Sequence, residues 1–466
     1  MQFVSTRGSA PTLSLRDTVL TGLARDGGLY VPAEWPQLDA DAWRALRSLP
    51  YAAVAKRLLW PFVEGEIERP AWDAMVDAAY GRFGHRAVAP LVQTGDDEWL
   101  LELFHGPTLA FKDVAMQLLA RLVDHILRER GSRATIVGAT SGDTGGAAIE
   151  AFRGREHTDI FILFPHGKVS DVQRRQMTTV EDANVHALAV EGDFDDCQAL
   201  VKAMFNDHRF RDEVALAGVN SINWGRIMAQ IVYFATSALA LGAPERAVSF
   251  SVPTGNFGDI FAGYAAKRMG LPVDRLVIAT NENDILHRTL GSGRYEVMGV
   301  SATSSPSMDI QVSSNFERLL FEAGGRDAEA VVRAMDGLKQ SRSFDIEGSA
   351  FERMREAFDA GRASEADVFA TIRETLHETG VLIDPHTAVG LHVAREVKGD
   401  GPMVTLATAH PAKFPDAVHA ACGTWPALPA RMGDLMDRPE RSTTVANDLH
   451  AVQRLVRERT GIAAAA

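Results

Sequence analysis

The sequence predicts an α/β protein built on mainly parallel sheet. From about residue 96 onward one unit recurs: an apolar strand, a glycine-rich loop, then a helix. The composition permits such a fold. Of 466 residues, 46% are hydrophobic and 23% charged, so a large core can be buried and overall disorder is excluded. At roughly 150 residues per domain, a chain of this length suggests about three domains.

Residues 1–95 read as an N-terminal unit with several helices. Within it, Arg25-Asp26-Gly27-Gly28 is a turn entering a short strand, Leu29 to Pro32. Residues 96–230 read as a small α/β domain that carries the candidate lysine. Residues 231–466 read as a large α/β domain, interrupted around 281–350 by an irregular insertion with short helices. There, residues 301–307 and Gly324-Gly325 are loop chemistry. The last 25 or so residues are polar and read as peripheral, and the closing alanines, 463–466, are expected to fray. No repeat of fixed period is present.

Four junctions define the α/β part. An apolar strand over 99–104 runs through His105-Gly106-Pro107-Thr108 into a helix that starts near Lys112 and Asp113. Val114, Leu118, Leu119, Leu122, Val123, Ile126 and Leu127 follow at helical spacing. A second strand, 134–139, leads into Thr140-Ser141-Gly142-Asp143-Thr144-Gly145-Gly146 and a helix to Phe152. A third, 247–252, leads into residues 253–259 and a helix closed by Gly270, and a strand over 276–280 completes that βαβ unit. The fourth, 403–408, precedes Ala409-His410-Pro411-Ala412-Lys413-Phe414-Pro415. In open α/β sheets ligands bind at the carboxyl ends of strands, which is where all four loops fall.

Charge and composition remove several functions. A net charge of −13 with no run of five Lys or Arg disfavours nucleic acid. Two cysteines, Cys197 and Cys422, exclude a disulfide framework and a paired-cysteine metal cage, and fit a reducing compartment. The histidines lack metal-ligand spacing, so no metal is expected. The longest uncharged stretch, 18 residues between Arg226 and Glu245, contains Gln230, Thr236 and Ser237 and reads as a buried helix rather than a membrane span. No targeting segment is apparent, so a soluble cytoplasmic protein is expected.

The loop at 253–259 opens a helix with glycines, free N–H groups and a favourable dipole, which suits a phosphate. The alternative is a tight turn with no ligand. It is not a GxGxxG loop, and no GxxxxGK[ST] occurs, so a dinucleotide site and a P-loop are both poorly supported. The loop at 140–146 suits a second anion, or else Ser141 or Asp143 simply caps the helix. Two such loops suggest a ligand with two anionic ends. Lys112 lies among apolar residues at a helix start, an unfavourable place for a merely structural cation, and desolvation would make its amine a nucleophile. Asn220, Ser221, Ile222 and Asn223 with Arg226 form either an anion clamp or a surface turn. The Thr408 hydroxyl either faces the cleft or caps the following turn, and the spacing favours the cap.

Taken together these stretches resemble the threonine synthase family, over most of the chain. The matching motifs are DGGLYVP (26–32), HGPTLAFKD (105–113), ATSGDTGGAA (139–148), FPHGKVSDVQRRQM (164–177), NSINWGRIMAQ (220–230), PTGNFGD (253–259) and TAHPAKFP (408–415). The resemblance implies a fold-type II pyridoxal 5′-phosphate (PLP) enzyme, tryptophan synthase β-like. Such a fold has two open, twisted, mainly parallel sheets with helices on both faces, here with an N-terminal mixed domain. It implies that Lys112 holds PLP covalently and acts as the catalytic base. Gly255, Asn256, Phe257, Gly258 and Asp259 would hold the cofactor phosphate, and Thr408 the pyridine nitrogen. Asp143 stands where many fold-type II enzymes have an asparagine near the PLP 3′-hydroxyl. Ser141, Thr144, Asn220, Ser221 and Arg226 would bind the phosphate of O-phospho-L-homoserine, which water converts to L-threonine and phosphate. The implied enzyme is a carbon–oxygen lyase acting on phosphate, monomeric or homodimeric.

The alternatives within this chemistry are a related PLP phospho-lyase and a serine/threonine dehydratase. A dehydratase has no second phosphate to hold, so Arg226 with Ser141 and Thr144 argues against it. An inactive regulatory scaffold conflicts with the intact lysine and GNFGD loop. A nicotinamide-dependent oxidoreductase lacks its fingerprint.

Overall fold

A computed structural model describes residues 1–397, 399 and 401–462; the closing alanines lie outside them. Two sheets dominate. The larger has six strands in the order Phe358–Arg362, Val273–Thr280, Val248–Pro253, Met403–Ala407, Glu98–Glu102 and Leu91–Gln93. All neighbours are parallel except the last pair. The smaller has five strands, all parallel, in the order Thr443–Ala446, Val185–Glu191, Thr158–Pro165, Ala134–Ala139 and Leu216–Ala217. The central strands are apolar runs rather than alternating ones, because helices cover both faces. Thr158–Pro165 is buried at every position.

The helix Lys112–Arg130 leaves the carboxyl end of Glu98–Glu102, carries the predicted apolar spacing and is stopped by the left-handed Gly131. The charge-free stretch becomes the helix Trp224–Ala240, buried along nearly its whole length. It packs against both Lys112–Arg130 and Gly258–Arg268. No helix among the described residues is long and apolar enough to cross a membrane.

The N-terminal residues form a three-stranded antiparallel sheet, Leu13–Ser14, Gln2–Ser5 and Tyr30–Pro32, with helices that include Tyr51–Leu58 and Arg69–Tyr80. Phe3, Trp35 and Phe62 converge on Trp224, with ring centroids 5.7 to 5.9 Å apart. This aromatic cluster joins the N-terminal unit to the central helix. The 281–350 segment contains the helices Ile285–Ser292, Phe316–Ala323 and Ala328–Ser341 and an antiparallel pair, Arg294–Glu296 with Ser343–Asp345. Arg318 from this segment donates to the carbonyls of Tyr30 and Ile222 at 3.0 and 2.6 Å. It thereby links the insertion to the N-terminal sheet and the 220–223 turn.

The C-terminal residues are not peripheral. Thr443–Ala446 extends the five-stranded sheet, and the helix Leu449–Arg459 buries Val452 and Val456 in its core. The polar composition hid this because only one narrow stripe of that helix is apolar. Two predicted strands also end earlier than their apolar runs suggested, at Glu102 and Ala407.

Candidate active site

The carboxyl ends of both sheets face one cavity of about 740 Å³. Lys112, Ser141, Asp143, Thr144, Asn220, Ser221, Arg226, Gly255, Asn256, Phe257, Gly258, Asp259 and Thr408 all line it. Every residue that the resemblance assigns to the cofactor or substrate therefore lines one cavity, drawn from loops of both sheets.

Lys112 is the first residue of its helix and only 8% exposed. Its Nζ lies 3.4 Å from Asp143 Oδ2 and 4.8 Å from the centroid of its neighbour Phe111. Burial pushes the amine below its ordinary range, and Lys413 and Arg226 add to that while Asp143 opposes it. A lysine so placed gives up its proton readily and can act as nucleophile or base.

Asp143 opens the next helix, Asp143–Phe152. Its Oδ1 accepts from Gln173 Nε2 at 2.9 Å and pairs with Lys413 Nζ at 3.0 Å. Burial opposes its charge, but Lys413, Lys112 and the Gln173 hydrogen bond hold it well below the usual carboxylate range.

The loop after Val248–Pro253 is shaped by the insertion. The carbonyl of Gly255 accepts from Ser313 Oγ at 2.7 Å, and that of Asn256 from the N–H and side-chain amide of Asn315 at 3.0 and 2.9 Å. A Cβ on Gly255 would come within 2.9 Å of the Ser307 carbonyl, so no larger residue fits. Phe257 adopts a left-handed φ of 62° and is clamped between Phe316 and Phe358. With these carbonyls tied back, the unpaired first-turn N–H groups of Gly258–Arg268 open toward the cavity. The Asp259 carboxylate accepts from the Tyr233 hydroxyl, and burial pushes it up to about 7, so its side chain is a poor partner for an anion near neutral pH.

The opposite end is built differently from either reading of the cap. Neither Ser141 nor Asp143 caps the Asp143–Phe152 helix. Thr140 Oγ1 instead accepts from the N–H groups of Gly142 and Gly145, both at 2.9 Å. Gly142 takes φ 148°, and a Cβ there would meet the Gln173 side chain at 2.3 Å. Ser141 and Thr144 are thus left to face the cavity. Asn223 caps Trp224–Ala240, accepting from Gly225 N at 2.9 Å, and this leaves Asn220 and Ser221 on the cavity wall.

Arg226 completes that wall. It is 4% exposed, and burial lowers its guanidinium to about 10. One NH group donates to the Val219 carbonyl at 3.3 Å, while its Nε has no partner among the described residues. A buried guanidinium with unused donors calls for an anion. The cavity thus presents an amine between two groups of anion donors, which fits a bound PLP together with a second phosphate.

Thr408 does not cap its turn. The His410 side chain does, accepting from Ala412 N at 3.1 Å, and Thr408 lines the cavity. Two residues of this site were not anticipated. Lys413 is fully buried behind Asp143. His386 lies at the start of the helix Pro385–Glu396, with Nδ1 2.7 Å from Asp384 and Nε2 accepting from Ser307 N at 3.2 Å. Asp384 caps that helix, accepting from the Thr387 N–H at 3.0 Å. The use of His386 in anchoring the 306–308 loop against the cofactor end depends on the insertion folding over it. Among the described residues no group of three or more His, Cys, Asp or Glu is placed to hold a metal ion.

Comparisons with known proteins identify the family. Three models match: "Threonine synthase N terminus" at residues 2–80, "Pyridoxal-phosphate dependent enzyme" at 87–409 and "Threonine synthase, C-terminal" at 387–456. The threonine synthase of Pseudomonas aeruginosa is 53% identical over 98% of each chain. The PLP-bound threonine synthase from Brucella melitensis superposes with a TM-score of 0.98 at 63% identity, over 99% of this chain and 100% of that one. The yeast enzyme superposes with a TM-score of 0.93 at 39% identity, over 98% of each chain. This chain belongs to the threonine synthase family of pyridoxal-phosphate-dependent enzymes.

Proposed function

We propose that the chain converts O-phospho-L-homoserine and water into L-threonine and phosphate, with PLP held on Lys112. The observation that carries the substrate assignment is the buried Arg226, which lines the same cavity as Lys112 and whose Nε has no hydrogen-bond partner among the described residues. A dehydratase substrate would leave that guanidinium without a counter-ion, which is costly in a dry site.

Bound PLP supplies an electron sink for charge that develops at the substrate carbons. The remaining work belongs to the chain. Gly255, Asn256, Phe257 and Gly258 hold the cofactor phosphate through main-chain N–H groups, and Asp259 adds its own N–H rather than its carboxylate. Thr408 offers a hydroxyl to the ring nitrogen, a partner that does not force that nitrogen to stay protonated. Asp143 would be the residue near the cofactor 3′-hydroxyl, in the place where many fold-type II enzymes have an asparagine. Ser141, Thr144, Asn220, Ser221 and Arg226 grip the γ-phosphate through its departure. With PLP and substrate bound, the Lys112 amine would remove the Cα proton and then the Cβ proton, and would return protons to Cγ and Cα as phosphate leaves Cγ and water adds its hydroxyl at Cβ. A base already beside the reacting carbons needs no further positioning.

Two unpaired cysteines, Cys197 and Cys422, support a cytoplasmic setting. A monomer or homodimer is the expected assembly, since one chain supplies every residue assigned to the cavity.

The test is the visible absorption spectrum of the purified protein before and after O-phospho-L-homoserine is added. A band near ~410–420 nm that shifts on addition, with threonine and phosphate released, supports the proposal. Release of 2-oxobutanoate with phosphate would move the activity to a phospho-lyase.

A further inference from the structure

Lys413 is fully buried, and a lysine in such a position needs compensating partners. It stands on the turn after Met403–Ala407, beside the loop that follows Glu98–Glu102 of the same sheet, and reaches the helices Asp143–Phe152 and Asp171–Thr178 of the other sheet. Its Nζ donates to the Thr108 carbonyl at 2.7 Å and to Gln176 Oε1 at 2.9 Å, and pairs with Asp143 Oδ1 at 3.0 Å. An ammonium has three N–H donors, and here each has an acceptor. Lys112 differs: among the described residues its Nζ has one acceptor, Asp143 Oδ2, at 3.4 Å.

We propose that Lys413 is a positioning residue, a permanent counter-ion that keeps Asp143 ionised during the parts of the cycle in which Lys112 has lost its own charge. The inference rests on the assignment of PLP to Lys112. A lysine that carries the cofactor and then shuttles protons is neutral for part of every turnover. With Lys112 as sole cation, Asp143 would then be an isolated buried carboxylate, and such a group takes up a proton.

The molecule contains two internal controls. Asp113 is fully buried and accepts from the N–H and hydroxyl of Thr108, both at 2.7 Å. Asp259 is buried against the Tyr233 hydroxyl. Neither has a cation in contact among the described residues, and burial pushes them up to about 6 and about 7. Asp143 is buried to a similar degree yet moves in the opposite direction, and it has two lysines against it, Lys413 at 3.0 Å and Lys112 at 3.4 Å. Other charged or titratable groups surround the cluster of Asp143, Lys413 and Lys112. Arg226 comes from Trp224–Ala240, His386 from Pro385–Glu396, Asp259 from Gly258–Arg268, and Asp113 lies toward Lys413. None of these four is hydrogen-bonded or ion-paired to Asp143 among the described residues.

The test is a pH titration of the visible absorbance of the PLP-loaded protein in wild type, K413Q and K413R. Without Lys413, deprotonation at Lys112 leaves net negative charge in a dry site, so the midpoint must rise. The expected shift in K413Q is about one pH unit or more, a tenfold change in proton affinity, while K413R, which keeps the charge, stays near wild type. A K413Q midpoint within about 0.3 unit of wild type overturns the inference, because a merely structural tie would lower melting temperature or PLP content without moving the titration. An equal shift in K413R also overturns it. If K413Q is not recovered folded, K413Q/D143N decides: recovery of folded, PLP-loaded protein on removing both charges supports the counter-ion role, and failure to recover it overturns that role. A wild-type protein without the PLP band removes the Lys112 assignment, and this inference with it.

Discussion

The main-chain N–H of Phe111 donates to the carbonyl of Thr408 at 2.8 Å. Two residues further along, His410 N returns a bond to Leu109 O at 3.0 Å, and Ala110 and Ala409 form an isolated antiparallel bridge. The loop that carries Lys112 and the loop that carries Thr408 are thereby joined by backbone alone. Their spacing does not depend on the Thr408 side chain, so the hydroxyl can be removed without moving Lys112.

Thr408→Val should therefore retain PLP content and melting temperature while kcat falls about tenfold, the scale of one hydrogen bond. Steady-state kinetics beside the visible spectrum measure this. Loss of PLP together with a lowered melting temperature would make the hydroxyl structural instead.

Lys112→Ala should lose the visible band and reduce threonine formation by about 10⁴-fold or more, because it removes both the covalent anchor and the base. The melting temperature of the PLP-free protein should change little, since among the described residues the Nζ has one hydrogen-bond acceptor, Asp143 at 3.4 Å. Appreciable turnover in this variant would take the lysine out of its proposed role.

Arg226→Ala should raise KM for O-phospho-L-homoserine by roughly 30-fold or more, the cost of about 2 kcal/mol for a buried charge pair. PLP occupancy, read from the absorbance, should stay close to wild type. Equal weakening of substrate and cofactor would assign Arg226 to the framework.

Asp259 gives a pH prediction. Burial raises its folded-state pKa from the ordinary 3.8 to about 7. The folded state therefore binds more protons than the unfolded state between these values, and stability falls as pH rises through that window. Asp259→Asn, which stays neutral and keeps an acceptor for Tyr233, should raise melting temperature at pH ~8 and leave it nearly unchanged at pH ~4. Asp143 has the opposite sign: its folded pKa is depressed, so its contribution is present above the ordinary carboxylate range and is lost only in strong acid. Thermal melts at both pH values, read by circular dichroism, check the first sign. Equal shifts at the two pH values would mean that the substitution acts through packing rather than charge.

Much of the site was legible along the chain because parallel sheets collect function at one edge. Strands covered on both faces must be apolar throughout, and the loops that leave their carboxyl ends must bend sharply into helices. Runs such as 134–139 followed by Thr140–Gly146, and 248–253 followed by Thr254–Phe257, carry both requirements locally. Lys112 was legible for a related reason: a cation at a helix start conflicts with the dipole and so needs an explanation outside the helix.

What the sequence determined by itself was therefore the set of strand–loop–helix junctions and the chemical character of each loop. Tertiary structure alone decided which groups compensate one another. Ser141, Asp143 and Thr140 are all able to cap a helix, and only the fold assigns the cap to Thr140 and frees Ser141. Lys413 carried no separate assignment in the 409–415 loop, and only the two sheets bring it within 3.0 Å of Asp143. The Thr443–Ala446 strand joined the smaller sheet from the far end of the chain. Local preference arises from neighbours a few residues away, whereas a buried charge is settled by whichever loops the sheets bring to the same edge, and that information is spread over the whole chain.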